Sequence, residues 1–135
     1  AERLEVEITE ASLMRDLDKA EHVLVGLQTM GVRIALDNFG TGYSSLSNLR
    51  RFPLNALKID GQFVRAAPDD EADARIVAAL VGLATGLGLH VVAEGVETEQ
   101  QLKFVRNCGC DEAQGFVISR ALPAAEFEQF TRKRA

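Results

Sequence analysis

Short apolar runs that end in an acid or amide, each followed by a helical pattern, constrain this chain more than any other feature. Arg3 to Ile8 reads as a strand, with Leu4, Val6 and Ile8 on one face and Glu5 and Glu7 on the other. Val32 to Leu36 is the next and ends in Asp37; Ala56 to Ile59 follows, then His90 to Ala93 ending in Glu94, then Gln114 to Ile118. Between them the apolar residues recur at helical spacing. Leu17, Ala20, Leu24 and Leu27 mark a helix over Asp16 to Met30, which Gly31 stops. Ala72 to Leu87 is a strongly apolar helix ending at Gly88. Thr98 opens another, with Gln101 three residues on as a capping box, and it stops near Gly109. A short helix near Ser45 to Arg51 is closed by Pro53, and Pro123 begins a last helix through Phe127 and Phe130. Ala66 to Asp73 is the most loop-like stretch.

Strand–helix alternation implies right-handed crossovers and a mainly parallel α/β sheet. A closed barrel of this type needs eight strands and about 250 residues. The 135 residues here supply about five βα units, enough for one domain. An open doubly wound sheet would be complete at that size. Pattern alone leaves both architectures open.

In either one, functional groups gather where the strands end. The polar residues there are Glu7, Asp37, Lys58 with Asp60, Glu94 and Gln114. Singly, each acid reads first as a helix cap or a surface charge rather than as a site residue. As a set, so many carboxylates on one rim need a cation, and oxygen ligands without a His or Cys cluster favour Mg²⁺, Mn²⁺ or Ca²⁺ over zinc. Two such ions can clamp a phosphoryl group and activate water. A lysine in an otherwise apolar strand needs a partner. For Lys58 the candidates are the neighbouring strand-end carboxylates or Asp60 two residues on.

Composition narrows the function classes. A net charge of −5 argues against a nucleic-acid polymer as partner, because such binding rests on Lys and Arg neutralising phosphates. No apolar run is long enough to span a bilayer, so no membrane contact is expected of this segment. Cys108 and Cys110, one residue apart, suit a reducing compartment and read as buried or helix-end thiols. These features together predict a cytoplasmic protein, or the cytoplasmic part of a larger one. The turn Gly40-Thr41-Gly42-Tyr43-Ser44-Ser45 lacks the spacing and lysine of a P-loop, and reads as a substrate loop or a tight cap through Ser44 or Ser45. His22 reads as a surface residue and His90 as structural.

Five ordered motifs then carry a resemblance: Glu7-Ile8-Thr9-Glu10, Asp37-Asn38-Phe39-Gly40-Thr41-Gly42, Leu57-Lys58-Ile59-Asp60, Val92-Ala93-Glu94-Gly95-Val96-Glu97 and Asp111-Glu112-Ala113-Gln114-Gly115-Phe116. Together they resemble the C-terminal half of an EAL domain, over nearly the whole chain. The resemblance implies a partial (β/α) TIM-type barrel. It also implies a parent domain that hydrolyses cyclic-di-GMP to linear pGpG with two Mg²⁺ or Mn²⁺ ions in bacterial second-messenger signalling. By position, Glu7, Asp37, Asn38 and Glu94 are the metal-site residues it implies, and Lys58 orients the attacking water. The resemblance also implies a water-site role for Glu94 and substrate contact by Gln114. It further implies that Glu10 anchors the Gly-rich loop, which in this family couples the site to dimerisation, and that Glu97 and Asp60 support the site from behind. Residues 1–135 would thus be the later part of the domain, without the Glu-Ala-Leu segment that supplies further ligands. Asn38 stands where active members carry a second aspartate, which weakens a second ion, and Ala121 stands where proline is usual. The expectations are an inactive isolated piece, and self-association through its open edges. The alternative is a degenerate domain that binds cyclic-di-GMP or a protein without cleaving it.

Overall fold

The computed structural model describes residues 3–40 and 49–134. In chain order the elements are β1 (Glu5–Thr9), α1 (Glu10–Met14), α2 (Leu17–Thr29), β2 (Arg33–Phe39), β3 (Ala56–Ile59), α3 (Gly61–Ala66), α4 (Glu71–Gly86), β4 (His90–Ala93), α5 (Glu99–Cys108), β5 (Glu112–Ala113) and α6 (Ala124–Arg134). The expected helix near Ser45 to Arg51 and the Gly-rich loop fall mostly outside the described residues.

The strands pair only in parallel and in sequence order, β1-β2-β3-β4-β5. That order separates the two architectures left open above. A doubly wound sheet reverses direction at a switch point. Here every crossover advances by one strand in the same direction, as in a barrel segment, and the described strands do not close.

Alternation along the strands sorts the residues onto two faces. Ile34, Leu36, Leu57, Ile59, Val91 and Ala93 are buried in one core with Leu13, Leu24, Val77, Val81 and Val105 from the helices. Each such side chain contributes about 1.5–3 kcal/mol on burial. The opposite face carries Glu7, Asp37, Lys58, Glu94 and Gln114.

At the strand starts, a side chain completes the ladder twice. Asn55 precedes β3; its Oδ1 accepts from the Ile34 amide at 2.8 Å while its own amide donates to the Ile34 carbonyl at 2.8 Å. Asp111 precedes β5 and does the same to Val91, accepting at 2.8 Å and donating at 2.9 Å. Each carboxyl or amide oxygen stands in for the strand carbonyl that is missing there, so no buried N–H is orphaned.

Several expectations need correction. The last strand is not Gln114 to Ile118: β5 is only Glu112–Ala113, and Gln114 follows its end. Gly115 explains this. A Cβ there would overlap the carbonyl oxygen and amide nitrogen of Val96. The chain passes against that backbone and turns, with Val96 N–H donating to Gln114 O at 3.0 Å and Val117 N–H donating to Val96 O at 3.1 Å. Sequence periodicity also missed α1 and α3, both under two turns long. The predicted loop Ala66 to Asp73 is shorter than expected, because Asp70 caps α4 through the amides of Ala72 and Asp73. Helix α2, the Thr98–Gln101 capping box and the left-handed Gly109 stop are where the sequence places them.

Candidate active site at the carboxyl ends of the strands

Lys58 lies at the centre. It is 4 % exposed, yet its ammonium makes two ion pairs, to Glu7 Oε1 at 2.5 Å and to Glu94 Oε1 at 2.7 Å. Glu7 comes from the first strand and Glu94 from just past the fourth, so one buried cation ties together groups from three strands. Ala35 is the partner of Glu7 on the intervening strand β2, and its small side chain leaves the space between Lys58 and Glu7 open. Burial works to lower the lysine's pKa. Its hydrogen bonds to Glu7 and Glu94, and their charges, outweigh this and hold it above the usual lysine range.

Glu94 moves the other way for a carboxyl. Burial raises its pKa, Lys58 pulls it back, and the adjacent Asp37 pushes it up again by charge and hydrogen bonding. Asp37 and Glu94 thus share one spot at which two negative charges are unfavourable together.

Asp37 owes its place to a β-bulge. Leu36 pairs with Leu57 and Phe39 with Ile59, so Asp37 and Asn38 together face the single residue Lys58. Such bulges re-aim side chains beside active sites. Asn38 has φ +55°, the left-handed region that asparagine tolerates better than most residues. Its amide N–H donates to Asp37 Oδ1 at 2.8 Å and its side-chain Nδ2 lies 3.4 Å from Asp37 Oδ2. In this geometry Asn38 holds the Asp37 carboxylate.

The remaining expected residues divide. Gln114 stands exposed at the rim, directly after β5. Asp60 does not pair with Lys58; its carboxylate caps α3, accepting from the Gln62 amide at 2.7 Å. Glu10 is buried as the first residue of α1, and the loop it was expected to anchor lies outside the described residues. Glu97 is exposed, and its backbone amide donates to Gln101 Oε1 at 2.7 Å. Gln101, which the sequence marked only as a cap, is buried and also donates to the Arg65 carbonyl at 3.4 Å, linking α5 to α3.

His90 lies at the other end of the sheet, 2.8 Å from Glu112 and 3.6 Å from Asp111, away from the rim. His22 is exposed. Burial raises both thiols, Cys110 to about 11 with help from Cys108 and Asp111. Both are therefore protonated near neutrality. Among the described residues no three His, Cys, Asp or Glu side chains already converge in metal-ligand geometry. None of the described helices is long and apolar enough to cross a membrane.

Comparison with known proteins gives the family of the chain. The model of the EAL domain family matches residues 1–121. The cyclic di-GMP phosphodiesterase NbdA of Pseudomonas aeruginosa is 48% identical over 129 residues, covering 96% of this chain and 16% of NbdA. The bifunctional diguanylate cyclase/cyclic di-GMP phosphodiesterase MucR of the same organism is 48% identical over 121 residues, covering 90% of this chain and 18% of MucR. The chain thus spans less than a fifth of these two curated relatives. Among solved structures, the PaMucR phosphodiesterase in complex with c-di-GMP superposes with a TM-score of 0.89 at 47% identity, over 93% of this chain and 51% of that one. The EAL domain of Mycobacterium smegmatis DcpA gives 0.88 at 41% identity, over 96% and 58%. A manganese and cyclic-di-GMP complex of Klebsiella pneumoniae BlrP1 gives 0.82 at 37% identity, over 88% and 30%. By family model, sequence identity and fold alike, the chain belongs to the EAL domain family.

Proposed function

We propose that this chain is the later part of an EAL domain that hydrolyses cyclic-di-GMP to pGpG with Mg²⁺ or Mn²⁺. The observation that carries the reading is Lys58 buried between Glu7 and Glu94, with Asp37 crowding Glu94 on the same rim. A purely structural lysine needs one counter-ion; here two strand-end carboxylates pair with it, and a third, Asp37, lies against Glu94 and disfavours its charge.

The donor set fits a divalent cation. Glu7, Asp37 and Glu94 offer hard oxygens, Asn38 a neutral one, and a cation between Asp37 and Glu94 would relieve their repulsion. Such an ion, when bound, supplies a Lewis acid for a phosphate oxygen and a more acidic bound water. The chain's own residues do the rest. The Lys58 ammonium stands where it can hold the attacking water by hydrogen bond, with the Glu94 carboxylate beside it at the same water site. Gln114 can orient the substrate at the rim.

The test compares this chain with a domain completed by an upstream Glu-Ala-Leu half. The completed domain should convert cyclic-di-GMP to pGpG with Mg²⁺ or Mn²⁺, and the 135-residue chain alone should not. Asn38→Asp in the completed domain should raise turnover if the second ion is limiting. Calorimetric binding of cyclic-di-GMP by the completed domain without any turnover would replace catalysis with a receptor role.

Self-association of the isolated chain belongs to the same proposal, as does a cytoplasmic setting. Among the described strands β1 pairs on one side only, and Leu4 beside it is 55% exposed. At the other edge Phe116 and Phe127 are both more than half exposed and line a cleft of about 420 Å³ with Phe130 and Leu122. Light scattering on the isolated chain should report a dimer or larger species, and a clean monomer would refute the self-association.

A further inference from the structure

Arg65 is a cation at the rim to which neither the motifs nor the comparisons assign a role. It sits on α3, one turn after Gly61, on the helix that leaves the strand carrying Lys58. Long helical side chains lean back toward the helix start, and Arg65 does so: its Nη1 lies 3.1 Å from where a Gly61 Cβ would stand and 3.3 Å from where a Gly95 Cβ would stand. Gly95 directly follows Glu94, and the same Gly61 position is 3.3 Å from the Glu94 carbonyl oxygen. The guanidinium thus rests on a shelf made by two glycines whose backbones touch, between the ends of β3 and β4. A side chain at either glycine would crowd it off. The Arg65 carbonyl is held from behind by buried Gln101, which also binds the amides of Glu97 and Thr98. Its backbone is therefore fixed to the loop that carries Glu94, while Arg65 as a residue is exposed and its guanidinium has no acceptor among the described residues.

The chemistry of the rim gives this cation a use. Glu7, Asp37 and Glu94 are acidic, and Lys58 uses two of its three donors on them, which leaves one for the attacking water and none for a second phosphodiester. A cyclic dinucleotide carries two phosphodiesters. The one under attack can be neutralised at the carboxylate cluster; the other needs a separate cation beside an acidic rim. We propose that Arg65 is a substrate-binding residue that donates to the non-reacting phosphodiester of a cyclic dinucleotide. The inference rests on the phosphodiesterase reading above. A guanidinium suits the task because its planar fork matches two phosphate oxygens.

The experiment uses the completed domain, with Arg65→Gln and Arg65→Lys. With cyclic-di-GMP, Arg65→Gln should raise KM about tenfold and leave kcat within about twofold, the size expected for one exposed charge-assisted contact. Arg65→Lys should recover part of the loss. With bis(p-nitrophenyl) phosphate, which has one phosphodiester only, Arg65→Gln should act like the wild type. An unchanged KM for cyclic-di-GMP, or an equal loss on both substrates, overturns the proposal. If the wild-type domain turns over neither substrate, the phosphodiesterase reading fails. Calorimetry of cyclic-di-GMP in Ca²⁺ then decides the Arg65 assignment alone: a tenfold weaker Kd in Arg65→Gln supports it and an unchanged Kd overturns it.

Discussion

Lys58→Met in the completed domain should lower kcat for cyclic-di-GMP by about a thousandfold, the scale of losing a positioned proton-transfer and charge-stabilising group. KM should move far less, because on the proposed reading the lysine faces the attacking water and not the body of the substrate. A loss under tenfold would remove Lys58 from the chemistry. The same change should also weaken the fold of the isolated chain. Losing one partner of a fully buried ion pair costs about 3–5 kcal/mol. Here the abandoned carboxylates are partly solvated, Glu7 at 50% and Glu94 at 23% side-chain exposure. The expected cost is therefore smaller, about 1–2 kcal/mol. Its pH dependence has a definite sign. Lys58 titrates higher in the fold than in the unfolded chain, so its contribution is complete below the ordinary lysine range and fades only as pH rises through the folded value. Glu94 titrates higher in the fold as well, which for an acid costs stability as pH rises past the ordinary carboxylate range. Lys58→Met removes the group that restrains this cost. Denaturant melts of the variant should therefore show a larger deficit at neutral pH than near pH 4–5, at about the ordinary glutamate value.

Gly115→Ala should be more damaging than a methyl at the other described glycines whose surroundings are defined, Gly61 and Gly95 included. The new carbon would overlap the Val96 carbonyl oxygen and amide nitrogen, both backbone atoms that cannot swing aside. Accommodating it means breaking the Val96–Gln114 and Val117–Val96 hydrogen bonds and moving Gln114 off the rim. Overpacking and two lost backbone bonds together suggest about 3 kcal/mol or more. Gly82→Ala is the matched control. It lies within α4 with nothing within 4 Å of its would-be Cβ, so alanine should stabilise by about 0.5–1 kcal/mol. Chemical denaturation of both variants reads the contrast directly. A Gly115→Ala cost below about 1 kcal/mol would contradict the close backbone approach.

What the sequence made legible follows from range. Helix α2, the Thr98–Gln101 cap and the Gly109 stop depend on residues within a few positions of each other, and periodicity and capping rules read them correctly. The rim residues were legible because strand ends are local features and because the five motifs occur in order. Partnerships were harder. Lys58 had two candidate partners, and only the sheet order shows that Glu7 reaches it across β2 while Asp60 turns away to cap α3. The shortness of β5 depends on where Gly115 meets Val96, a contact that no local pattern encodes. The bulge at Asn38 is similar. An asparagine at that site reads from sequence as a weakened ligand, whereas its left-handed backbone and its bonds to Asp37 give it a holding role that only pairing register reveals.

The paired side-chain closures made by Asn55 and Asp111 carry a last consequence. Both lie at the amino ends of the strands, and both replace backbone with side chain where a crossover enters the sheet. Wear and tinkering at the two ends should therefore differ. At the entry end, one altered atom strands a buried amide, so drift there is costly. At the exit end, away from the Gly115–Val96 contact and the Lys58 ion pairs, side chains that make no ladder bond can shed charge or acquire new contacts without the strands losing register. One end serves as the anchor, and the other is left free to change what it recognises.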